Sequence, residues 1–152
     1  MAILQRMWTA SPPEERLIAE LADMAGRYQE LASRLARDAA LCAYPNISVG
    51  LGALAAREAE HARTLDTILS GRRVWSKLPR PIGAEGSSNW ARVSADLALL
   101  LELSREMNQQ AIHWEGIDSA FAARLRTIAL KDDRNLSELR EMALKCDPQA
   151  ID

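Results

Sequence analysis

The chain has 152 residues, enough for one domain with a sizeable core, and its 48% apolar to 26% charged balance is that of a folded globular protein, not a disordered one. A net charge of −2 gives no electrostatic reason to expect nucleic acid or an anionic membrane as partner. No apolar run approaches a membrane span and residues 1–10 are too polar for a secretory signal, so a cytoplasmic protein is expected.

Abundant Ala and Leu, few aromatics and the absence of strand-like alternation predict an all-α fold. The first helix is expected over about 12–40: Ser11 can cap it, Pro12 suits its first position and Glu14 completes a capping box. Its apolar face carries Leu21, Ala25, Tyr28, Ala32 and Leu35. Tyr44-Pro45-Asn46 interrupts the chain, and a second helix is expected over 47–70, ending at Gly71. The connection 71–88 holds two prolines and two glycines after Gly71 and reads as irregular. Helices over 89–116 and 118–145 follow, the last with Asp118 as N-cap and Pro148 beyond its end.

Connection lengths predict the topology. The short breaks inside each half make each pair of helices an antiparallel hairpin. A helix of about 25 residues is roughly 38 Å long, and an extended connection of about 16 residues reaches roughly 50 Å. The middle connection can therefore cross the whole bundle and join two hairpins, the alternative being an up-down bundle with a loose loop. Trp75 and Trp90 bracket this crossover and are expected to pin it to the bundle. Arg72, Arg73, Lys77 and Arg80 form a basic cluster there, read as a solvated loop. Cys42 and Cys146 show no metal or redox spacing and are expected to be free thiols.

The second helix has a seam of Ile47, Leu51, Leu54, Glu58, His61, Leu65 and Ile68, alternating by four and three. The fourth helix repeats it 74 residues later as Phe121, Leu125, Ile128, Asp132, Asn135, Leu139 and Met142. Each seam is interrupted at its middle by an acid and, three positions on, a second polar residue. Applying the same offset to the other two helices gives a third-helix face of Ala95, Leu99, Glu102, Glu106, Gln109 and His113, and sets Tyr28 at the site level of the first helix. Carboxylates gathered in an apolar core repel one another and lose hydration, which costs several kcal/mol for each uncompensated ion. Protonation, pairing with Arg57, Arg105 or Arg134, or a divalent cation are the three remedies.

Glu58-Ala59-Glu60-His61 and the stretch Asp132-Asp133-Arg134-Asn135 resemble the Glu-x-x-His pairs of ferritin-like, and in particular rubrerythrin-like, four-helix bundles. The resemblance covers roughly 14–144 as a hairpin-crossover-hairpin plan. It implies a core metal site in which Glu58, His61, Glu102, Glu106, Asp132 and Asn135 are the ligand candidates, iron the metal, and oxygen or peroxide redox chemistry the role, with an unidentified redox partner and a homodimeric assembly. Manganese and zinc suit the same donor types. The set is incomplete: Asp132 stands where that family has Glu, Asn135 where it has His, and Tyr28 or Leu21 where it has an acid. The two cysteines supply no rubredoxin-like set. A metal-free bundle of the same fold, its acids protonated or bonded to Tyr28, His61 and Asn135 and acting as an assembly or interaction module, is the alternative.

Overall fold

The computed structural model describes residues 12–72, 74–75 and 88–147. Four helices account for nearly all of them: α1 (Pro12–Leu41), α2 (Pro45–Gly71), α3 (Asn89–Glu115) and α4 (Ser119–Cys146). There is no strand among the described residues. Pro45, read from sequence as a breaker, instead opens α2, where its missing N–H costs nothing. Ser88 caps α3 by accepting from the Ala91 amide at 3.1 Å, and Asp118 caps α4 by accepting from the Phe121 amide at 3.1 Å. The expected Ser11 cap lies outside the described residues.

Cross-helix contacts fix the topology. Gln110 Nε2 donates to the Leu17 carbonyl at 3.2 Å, and Arg92 lies 3.8 Å from Asp38 at the opposite ends of the same two helices. Helices α1 and α3 are therefore antiparallel. Arg72–Asp118 and Arg57–Glu138 pairs, at 3.2 and 2.7 Å, make α2 and α4 antiparallel as well. Thus α2 finishes beside the start of α4, whereas α3 starts beside the end of α1. Residues 72 and 88 lie at opposite ends of the four-helix bundle, so one connection crosses its length between two antiparallel hairpins. Each helix neighbours two others, in the cyclic order α1, α2, α4, α3.

The core is an aliphatic column of Leu21, Leu31, Leu35, Leu51, Leu54, Leu65, Leu100, Leu103, Leu125 and Leu139, each fully buried. Deleting one such side chain to Ala costs about 2–5 kcal/mol. Trp114, also fully buried, closes one end against Phe121 with ring centroids 4.3 Å apart. The Arg72 guanidinium lies 4.6 Å from the centre of each ring, so this member of the basic cluster is an end-cap of the core, not a free loop charge.

All seven seam positions of α2 are buried, as are six of the seven on α4, with Met142 half-buried. The α3 face differs from the expected one. Val93, Asp96, Leu100, Leu103, Met107, Gln110 and Trp114 point inward, roughly one residue, or about 100°, around the helix from Glu102, Glu106 and Gln109. The run Leu97-Ala98-Leu99-Leu100-Leu101 is apolar on all sides, so periodicity alone leaves its rotation open, and burying Met107 and Trp114 decides it. Trp75 and Trp90 are 79% and 43% exposed, and the crossover they are expected to pin lies largely outside the described residues. No helix among the described residues is long and apolar enough to cross a membrane.

Candidate metal centre

The middle of the bundle is polar because α2 and α4 bring their seam interruptions to one level. Glu58, His61, Asp132 and Asn135 are all at most 4% exposed. One ligand atom from each of Glu58, His61 and Asp132 can be chosen so that all three lie within 4.8 Å of one another. Because each interruption lies at mid-seam, the antiparallel packing sets Glu58 beside Asn135 and His61 beside Asp132.

His61 Nδ1 lies 3.1 Å from Glu58 Oε2 and 3.0 Å from Asp132 Oδ1. Asn135 Nδ2 donates to Glu58 Oε1 at 2.7 Å, and its own Oδ1 accepts from Arg57 at 3.1 Å. The Tyr28 hydroxyl donates to Asp132 Oδ2 at 2.5 Å, while its ring meets the His61 imidazole edge-on at 5.9 Å. A ring nitrogen holds one proton and serves one carboxylate at a time. Asp132 Oδ1 is left buried without a hydrogen-bond donor of its own.

Electrostatics follow from this crowding. Burial raises the Glu58 carboxyl, a shift that the hydrogen bond from His61 opposes and the nearby Asp132 reinforces. Burial alone would lower His61, but the two facing carboxylates, Asp132 and Glu58, outweigh that and lift it to about 9. The Tyr28 phenol is pushed well above its usual value, first by burial and then by Asp132. Two carboxylates, one imidazole and a carboxylate oxygen without a donor form a cation-seeking set of the hard-oxygen-plus-nitrogen type.

Of the sequence candidates, Glu58, His61, Asp132 and Asn135 come together, and Tyr28 joins them at the level its register implies. Glu102 and Glu106 do not join them. Arg27 of α1 holds them at 3.0 and 2.6 Å on the flank of the bundle, where Glu102 is 63% exposed. The physical reason is the rotation of α3: its acids fall beside the seam and meet the α1 guanidinium first. Glu106 still acts on Tyr28 through its charge. His113 is exposed.

A second buried acidic pair escaped the sequence reading. Asp38 and Asp96 are 2% and 0% exposed, and Arg37 donates to Asp38 at 2.9 Å. Burial and the facing Asp38 raise Asp96 to about 9, against the opposing pull of Arg34 and Arg37. Its signal was present: Asp38 continues the Leu31–Leu35 spacing and Asp96 precedes Leu100 and Leu103 on the true α3 seam.

Helices α2 and α4 touch least of the four neighbouring pairs, and a groove of about 790 Å³ opens between them, reaching down to His61 and Asn135. No family model matches the chain, and no curated protein sequence matches it. The chemistry of the site therefore rests on its own geometry.

Proposed function

We propose that this protein is a ferritin-like bundle that holds one divalent metal ion between α2 and α4. The observation that supports the reading is the buried convergence of Glu58, His61 and Asp132 within 4.8 Å. These three residues would hold the ion, while Tyr28 and Asn135 orient the two carboxylates and the groove gives access from solvent. Three protein ligands with further positions open is the pattern of reactive rather than purely structural metal sites. Iron is the metal that the ferritin-like resemblance favours, with manganese or zinc accepted by the same donors. Bound iron would supply one-electron chemistry with oxygen or peroxide, its electrons coming from a separate redox partner. One ion rather than two follows from Tyr28 occupying the α1 position and from Arg27 engaging the α3 acids.

A second reading is favoured by the hydrogen bonds themselves: Tyr28, His61 and Asn135 already serve Glu58 and Asp132 without a metal. Here the cluster is a specificity device of the core in a metal-free assembly module. Elemental analysis of protein purified without a metal-affinity tag, before and after anaerobic loading with ferrous iron, separates the two. About one ion per chain is expected, lost in Glu58→Gln and Asp132→Asn, together with a fall in melting temperature on chelation. No retained metal and no chelator effect would establish the metal-free reading.

A further inference from the structure

The α2–α4 groove has a charge pattern that the metal site does not need. Four cations line it, Arg57, Arg124, Lys131 and Arg134, against two acids, Glu60 and Glu138. Both acids are already neutralised: Glu138 by Arg57 at 2.7 Å, and Glu60 by Arg63 at 2.6 Å. Arg124, Lys131 and Arg134 make no ion pair among the described residues. Three uncompensated positive charges thus face one groove of a chain whose net charge is −2.

Their layout argues for the shape of what they attract. Lys131 and Arg134 are one turn apart on α4 and present a pair of donors side by side. Arg124 lies about 10 Å further along the helix from Lys131, so the cations do not converge on one point as they would around a phosphate. Between them the wall is Ile128 with the methyl-bearing Thr64 and Thr127. The volume, about 790 Å³, is in the range of small-molecule sites.

From this we infer that the groove binds a small organic acid, with its carboxylate at Lys131 and Arg134 and an apolar body lying along Ile128 toward Arg124. The bound acid covers the solvent side of His61 and Asn135, which form the floor. This ligand site stands on the groove's own charges and shape and does not depend on whether the cluster beneath it holds a metal.

The test is titration calorimetry with octanoate, paired with amide shifts in nitrogen-15 NMR, on the full chain both chelator-treated and iron-loaded. Octanoate is expected to bind both forms and to shift the amides of Thr64, Thr127 and Lys131. The double variant Lys131→Gln/Arg134→Gln, at two exposed positions, should keep its fold by circular dichroism and bind at least tenfold more weakly. Octylammonium and inorganic phosphate should each bind at least tenfold more weakly than octanoate. Equal binding of octylammonium would overturn the charge selection, and equal binding of phosphate would overturn the apolar wall. Failure of octanoate to bind either form would overturn the site. So would groove amides that shift with protein concentration and ignore octanoate, because a second copy of the chain would then fill the groove. Retention of iron without octanoate binding refutes this inference alone. Octanoate binding without iron retention refutes only the metal reading.

Discussion

Replacing Asp96 by Asn removes the one buried carboxyl whose titration is most displaced by the fold. In the native protein its pKa stands at about 9, against an ordinary 3.8 when the chain is unfolded. Between those values the folded state holds a proton that the unfolded state has released. Its contribution is thus fully present below the unfolded pKa and is lost as pH rises toward 9. One proton corresponds to at most about 1.4 kcal/mol per pH unit, or roughly 4 kcal/mol between pH 5 and 8. The pull of Arg34 and Arg37 is already contained in the pKa of about 9; water entry and relaxation around a buried charge lower the figure further, so about 1–3 kcal/mol is expected in practice. Urea unfolding of the wild type and Asp96→Asn at pH 5, 6, 7 and 8 measures it. The wild type should lose stability relative to the variant at each step, and the variant should be the more stable protein at pH 8. Any shared contribution from His61, which has the same sign between 6.5 and about 9, cancels in that difference. A wild-type-to-variant gap that does not change with pH would refute the reasoning.

Tyr28→Phe takes the donor from Asp132 Oδ2 and leaves a second buried oxygen without one. It should cost about 1–3 kcal/mol in chelated protein by chemical denaturation, and less once iron is loaded. Leu54→Ala, at a fully buried seam position next to the polar level, should cost about 2–5 kcal/mol in the same assay. Asp118→Ala loses both the α4 cap and the Arg72 ion pair and should lower stability by about 1 kcal/mol, with faster amide exchange at Phe121. Trp90, Leu101 and Ile112, spaced by eleven along α3, leave an exposed apolar line. Light scattering should find a dimer that Leu101→Glu dissociates, and a monomeric wild type would reject that assembly.

The legible part of the site was the part that depends on spacing. Glu58 and His61, and Asp132 and Asn135, interrupt otherwise complete apolar seams at equal register. Because each interruption falls at the middle of a seam of equal length, two antiparallel helices packed flush bring the four residues to one level. Sequence spacing likewise determined two hairpins and a connection long enough to cross the bundle. Rotation of a helix about its axis is a different matter, because it is chosen by competition among faces. Along α3 the run from Leu97 to Leu101 offers apolar groups on every side, and the burial of Met107 and Trp114 broke the tie. That rotation carried Glu102 and Glu106 away from the centre to Arg27 and brought Asp96 inward beside Asp38. Nor does spacing say which neighbouring helices part to form a groove, or which charges across it are left uncompensated. Those follow from side-chain volumes and pairings summed over four helices, and only the packed structure decides them.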